Sequence, residues 1–205
     1  MSTPTTRKVT ANISLTLDGR YHGAGGPGDL GPIVPYAVTE AAREHLTRIW
    51  EGKTTAVFGR GNALGFLGYW SAVAEDESAD PRDRGYAKWL VNAEKVVFSN
   101  TLTEAPWDRT RIVNGSPADI IRDLKTEGAA EGEEAGDILV NTAPSILKPL
   151  LAADLVDRLH LLICPEVTGG GERLFEDGLP ATQWTLAHQE TGERGELALI
   201  YDRIR

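Results

Sequence analysis

The sequence predicts an α/β domain with a largely parallel sheet flanked by helices. Three observations predict it. Runs rich in β-branched and aliphatic residues alternate with segments of helical period along the chain, the order that places helices on the faces of a parallel sheet. Four of these runs end in short joints of small residues, at Gly59–Asn62, Ser99–Thr101, Asn141–Pro144 and Gly169–Gly171. The last two runs are separated only by Thr191-Gly192-Glu193-Arg194-Gly195, which reads as an antiparallel hairpin at one edge.

The elements follow in order. Val9 to Leu17 reads as the first strand and stops at the turn signal Asp18-Gly19. Residues 19–36 are rich in Gly and Pro and form a long loop, and a loop of that length in a compact domain is often functional. Thr39 can cap a helix through Ala41, Leu46 and Ile49, with Gly52 as its stop. Thr54 to Phe58 is the second strand, and a helix follows through Leu64, Leu67 and Trp70. Residues 75–85 are acidic and polar and read as an exposed connection, with a helical piece from Tyr86 to Val91. Lys95 to Phe98 and Arg111 to Val113 are strands. Ser116-Pro117 supplies an N-cap and a first-turn proline for a helix through Ile120, Ile121 and Leu124. Glu127 to Gly136 reads as a solvated charged loop, and Ile138 to Val140 as a strand. Thr142-Ala143-Pro144 opens a helix through Ile146, Leu147, Leu150 and Leu151. Val156 to Cys164, Trp184 to Gln189 and Leu197 to Tyr201 are the closing strands.

A chain of 205 residues fits one domain and can bury a core without staples. Its net charge of −9 disfavours a generic nucleic-acid or anionic-membrane binder, because both need a basic face. An anionic small ligand stays possible, since local backbone amides and one or two arginines can hold a phosphate inside an acidic protein. The single cysteine, Cys164, lies in an apolar run and reads as a small buried hydrophobe. The polar start of the chain shows no signal peptide and no stretch is long enough to span a bilayer, so a cytoplasmic location is the expectation. The N-x-S/T matches at Asn12 and Asn114 then carry no meaning.

Other motifs are weak. Gly23-x-Gly25-x-x-Gly28 matches the dinucleotide fingerprint in form, but prolines at 27, 32 and 35 interrupt any helix after it. Gly52-Lys53-Thr54 precedes a strand rather than following one and is rejected as a phosphate loop. The histidines at 22, 45, 160 and 188 lack metal-ligand spacing, so no metal is expected. Asp18 and Glu166 lie at the carboxyl end of the sheet, where ligands bind in such folds. Either carboxylate could meet a ligand there; Asp18-Gly19 is equally an ordinary turn.

Seven stretches occur in one order: Ser14-Leu15-Thr16-Leu17-Asp18-Gly19, Phe58-Gly59-Arg60, Lys95 to Leu102, Ile138-Leu139-Val140, Leu155 to Leu159, Pro165 to Gly171, and Arg173-Leu174-Phe175. In this order the chain resembles dihydrofolate-reductase-like proteins related to the C-terminal reductase domain of the bifunctional riboflavin-biosynthesis deaminase/reductase, from about residue 7 to 203. The resemblance implies one dihydrofolate-reductase-like domain with a mixed, mostly parallel sheet, often a homodimer. It implies NADPH across the strand ends and hydride transfer to a pterin-, pyrimidine- or flavin-precursor-like ring, or a carbonyl. It places Asp18 at the substrate end, where Glu166, at the same end of the sheet, is the second candidate to orient the substrate. It places Gly59, Arg60 and Asn62 in one cofactor loop, Ser99, Asn100 and Thr101 in a second at the adenosine phosphate, Asn141, Thr142 and Ala143 in a third, and Gly169, Gly170 and Gly171 in the late glycine turn.

Three loops depart from the family pattern, at four positions. Asn62 replaces a Thr, Asn100 replaces an Arg, and Asn141-Thr142 replace Gly-Gly. Loss of the arginine removes a charge-assisted contact worth about 1.5–3 kcal/mol. Side chains in place of the two glycines are expected to crowd the dinucleotide. The alternative is therefore a family member that no longer uses NADPH and serves as a small-molecule binding protein or a different enzyme.

Overall fold

The computed structural model describes residues 6–127 and 135–205. The solvated loop expected at Glu127–Gly136 falls largely outside these residues, as does the start of the chain. Eight strands form one sheet in the order β4-β3-β2-β5-β1-β6-β8-β7. They are β1 (Val9–Thr16), β2 (Lys53–Gly59), β3 (Glu94–Phe98), β4 (Thr110–Val113), β5 (Asp137–Asn141), β6 (Arg158–Cys164), β7 (Gln183–Thr191) and β8 (Leu197–Ile204). All neighbours from β4 to β6 are parallel. β8 runs antiparallel to both β6 and β7, which makes the expected edge hairpin. The sheet is the mixed, mostly parallel sheet of a dihydrofolate-reductase-like fold.

Five helices cover it: α1 (Glu40–Ile49), α2 (Arg60–Glu75), α3 (Pro81–Asn92), α4 (Pro117–Thr126) and α5 (Pro144–Ala152). Strand alternation decides which face each covers. Val57 and Val96 join the core under α4 and α5, with Ile121, Ile146 and Leu150. Their strand neighbours Ala56, Phe58 and Val97 point the other way, to Leu67 of α2 and Tyr86 and Leu90 of α3. On β6, Leu159 and Leu161 join the first core, while Leu162 and Cys164 pack on Ala42 of α1. So α1, α2 and α3 cover one face and α4 and α5 the other. β1 divides in the same way: Ala11, Ile13 and Leu15 enter the α4/α5 core, whereas Thr10, Asn12, Ser14 and Thr16 turn to the opposite side.

Residues 75–85 differ from expectation in their second half. Asp80 caps α3 by accepting from the Arg82 amide, and Pro81 takes the first helical position. The Asp-Pro pair works as Ser116-Pro117 does at α4, where Ser116 accepts from the Asp119 amide. Cys164 is buried, and burial pushes its thiol up to about 12, as suits an inert core residue.

Candidate functional site

β2 and β5 are neighbours, yet the helices that leave them cover opposite faces. Such a switch point opens a crevice at the carboxyl ends of the strands. The crevice is present as a cavity of about 560 Å³. Its walls come from four strand-to-helix or strand-to-loop joints: Gly59–Asn62 after β2, Phe98–Thr101 after β3, Val113–Pro117 around the β4–α4 joint, and Ala143–Ile146 at the start of α5.

Two of these helix starts face each other. A side chain at Gly59 would lie 3.6 Å from Ser145 Oγ and 3.9 Å from Ala143 Cβ. Neither α2 nor α5 has a side chain capping its first turn. Among the described residues the first-turn amides of α2 and of α5, Ser145 included, therefore have no side-chain cap, which is the setting in which helix starts bind anions. Arg60 stands in the same wall, and among the described residues it has no ion-pair or hydrogen-bond partner. Among the described residues no carboxylate lines the cavity. In a chain of net charge −9, this is a local site suited to negative charge.

Three of the four expected loops thus come together, and the fourth does not. Gly169, Gly170 and Gly171 pack against the loop after β1. A Cβ at Gly170 would meet Ala24 Cβ at 2.7 Å, and one at Gly171 would meet the His22 carbonyl at 2.2 Å. Gly169 and Gly171 also have φ of +62° and +93°, which glycine adopts without strain. The late glycine turn is a close-packing joint on the far side of β1.

Within the second loop, Ser99 Oγ accepts from the amides of Thr101 and Leu102, at 3.2 and 2.9 Å, and shapes the turn. Asn100 and Thr101 line the cavity beside it. In the third loop Asn141 is turned away from the cavity. Asn141 is 1% exposed. Its amide donates to Tyr86 Oη at 2.6 Å and its carbonyl accepts from Asn12 Nδ2 at 2.7 Å. The side chain is turned into the α3 side of the sheet because residue 141, paired with Asn12 in register, follows the polar alternation of β1. Thr142 lies at φ +44°, a conformation that glycine adopts more readily. Asn62 pins it, with Nδ2 donating to the Thr142 carbonyl and, at 3.1 Å, to its Oγ1. Neither Asn141 nor Thr142 lines the cavity, whereas Ala143 does.

The two carboxylates sit beyond β1 and β6. Both oxygens of Asp18 are occupied: they accept from Thr16 Oγ1 at 2.6 Å, Arg20 Nε at 2.8 Å, and the amides of Thr168 and Gly169 at 3.3 and 3.1 Å. The Thr16 hydroxyl, then Arg20 and the two amides, hold its carboxyl well below the usual carboxylate range. Arg20 in turn donates to the Gly171 carbonyl. Asp18 is a clasp between the β1 turn and the late glycine turn, held in its charged form by that network. Glu166 is exposed and accepts from Tyr36 Oη at 2.8 Å, which ties it to the long loop.

The β4–α4 segment was not foreseen as part of the site. Asn114-Gly115-Ser116-Pro117 has the same small-residue character as the other joints, between a strand and a helix, and Gly115 has φ +145°. That character was the available signal.

The RibD C-terminal domain model matches residues 7–197. No curated protein matches the sequence. Among solved structures, a Shewanella sp. PV-4 protein named for riboflavin biosynthesis aligns with TM-score 0.64 at 22% identity, over 97% of this chain and 99% of its own. A pyrimidine reductase-like protein from Corynebacterium diphtheriae aligns with TM-score 0.58 at 17% identity, over 97% and 92%. The Thermotoga maritima diaminohydroxyphosphoribosylaminopyrimidine deaminase/5-amino-6-(5-phosphoribosylamino)uracil reductase gives TM-score 0.62 at 15% identity, with 97% of this chain covering 57% of that one. At these identities the structural likeness speaks to the fold.

Proposed function

The chain belongs to the RibD C-terminal domain family, and from that premise we propose that it is an NADPH-dependent reductase of a small ring or carbonyl compound. The observation that carries the reading is the switch-point cavity of about 560 Å³, with two uncapped helix starts and, among the described residues, an unpaired Arg60 and no carboxylate in its walls. Its volume lies in the range of cofactor sites, and its donors suit a pyrophosphate.

When bound, the cofactor supplies the hydride. The chain's own residues bind and orient it. The first-turn amides of α2 and Ser145 of α5 would hold the pyrophosphate, with Arg60 adding a charge-assisted contact. Ser99 and Thr101 would hold the adenosine end, where Asn100 offers an amide in place of a guanidinium. The substrate would be a pterin-, pyrimidine- or flavin-precursor-like ring, or a carbonyl compound. It would lie toward β1, where the long loop and Glu166 stand and where Asn12 and Ser14 remain half-buried on the polar side of the strand.

Titration of NADPH and NADH, followed by tryptophan fluorescence, tests the reading. Saturable NADPH binding in the micromolar range is expected. Arg60→Gln should weaken it by about 10- to 100-fold, the loss of one charge-assisted contact. Asn100 favours the second reading, because it leaves Arg60 as the only charged residue among the described residues of the cavity wall. No response to either nucleotide at millimolar concentration would turn the assignment to a binding protein or an enzyme of another chemistry.

A further inference from the structure

A second cavity, of about 250 Å³, lies at the opposite end of the sheet, between the end of α1 and strands β6, β8 and β7. Arg48, Glu51, Arg158, His160 and His188 line it, with Ala187 at its rim. His160 and His188 flank Ile200 across the three strands, both in register with it. His160 is fully buried, and behind it stands His45 of α1, with ring centroids 5.1 Å apart.

Several buried nitrogens here lack a hydrogen bond, although Arg48 pairs with Glu44 at 3.5 Å and His188 Nε2 faces Glu190 at 3.9 Å. Both ring nitrogens of His160 and of His45, Nε2 of His188 and Nε of Arg48 are buried without a hydrogen bond. A buried donor left unmade is costly and calls for an explanation. Arg48 Nε is a donor in every protonation state, and each neutral imidazole carries one N–H. Arg158 is held in place by two bonds to Asp202, at 2.6 and 2.9 Å. Buried Lys53, which donates to the Glu51 carbonyl at 2.8 Å, adds positive charge nearby. Among the described residues Glu51 is the only carboxylate in the wall itself, while Glu44, Asp202 and Glu190 stand against Arg48, Arg158 and His188. Two guanidinium groups disfavour a metal cation, and among the described residues no three ligating side chains are placed to hold one.

We propose that this cavity binds a small oxyanion, a phosphate or carboxylate group, through Arg48, Arg158, His160 and His188, at a site separate from the nucleotide cleft. The anion accepts from Arg48 Nε–H and from the imidazole N–H groups that otherwise have no hydrogen bond. The site stands whether or not the switch-point cavity holds a nucleotide.

Isothermal titration of the full chain with inorganic phosphate and, separately, acetate, at constant ionic strength, tests it. One saturable event is expected for at least one of the two, with Kd on the order of 1 mM or below. Arg48→Gln should weaken it by about tenfold or more, and Arg60→Gln should leave it in place. Ala187→Leu, at an exposed position of the edge strand, blocks the mouth without removing a charge and keeps the test open if Arg48→Gln folds poorly. Binding that survives both Arg48→Gln and Ala187→Leu, or that disappears only with Arg60→Gln, would assign the anion elsewhere. No uptake of either anion up to about 10 mM would leave a cavity that holds water only and overturn the proposal.

Discussion

Replacing Asn141 by glycine separates two accounts of the third cofactor loop. If Asn141 intrudes on the nucleotide path, Asn141→Gly opens the site. The geometry predicts the reverse. Asn141 is 1% exposed and bonds Tyr86 Oη and Asn12 Nδ2, at 2.6 and 2.7 Å. Its removal strands the hydroxyl of Tyr86, which is fully buried, at a cost of about 1–3 kcal/mol. Glycine in a strand costs about 0.5–1 kcal/mol more. The sum is about 1.5–4 kcal/mol, or about 3–16 °C in Tm for a chain of this size. Thr142→Gly serves as the comparison. It relieves a left-handed backbone at φ +44°, worth about 1–2 kcal/mol, and loses the side-chain bond from Asn62, worth about 0.5–1.5 kcal/mol. Its stability should stay within about 1 kcal/mol of the parent. Thermal denaturation and NADPH titration of both variants read the outcome. An Asn141→Gly variant with unchanged Tm and several-fold tighter NADPH binding would refute the reasoning.

Two further outcomes follow from buried and clasped charges. Burial holds His45 down to about 4 from 6.5, and His160 lower still. Protons then bind the unfolded chain first, so stability is full above pH 6.5 and falls as pH drops toward 4. His45 alone should cost about 3 kcal/mol across that window; urea unfolding at pH 7 and pH 4.5 measures it, and a His45→Leu/His160→Leu double variant should flatten the slope. Asp18→Asn should lower stability by about 2 kcal/mol, because the lost charge weakens the bonds from Arg20 and two backbone amides. Its NADPH affinity should not change, since Asp18 does not line the cavity; equal Tm values for variant and parent would contradict the clasp.

Much of the architecture was legible because local signals agreed with one another. Alternation in Val9–Leu17, the Ser116-Pro117 cap and the Thr191–Gly195 hairpin each specify their element without help from distant residues. The first turns of α3 were missed although Asp80-Pro81 carries the same cap signal, because the surrounding acidic run resembles a linker. Three of the four small-residue joints converge as expected, since β2, β3 and β5 are parallel neighbours or next neighbours. The glycine turn at 169–171 follows β6, on the far side of β1 from β5, and a sequence without strand order cannot reveal that separation. Asp18 shows the other limit. Its partners Thr168 and Gly169 lie some 150 residues away, so local sequence could not distinguish a saturated clasp from a free carboxylate. The direction of Asn141 was in principle readable, because a residue paired with Asn12 shares its polar side of the sheet.

The most direct test is a crystal structure of the protein soaked with NADP⁺. Density is expected to run across residues 59–62, 99–101 and 143–146, with a phosphate within hydrogen-bond distance of the first-turn amides of α2 and of Arg60. A nucleotide seated on another surface, or a cavity that stays empty at saturating NADP⁺, would contradict the account.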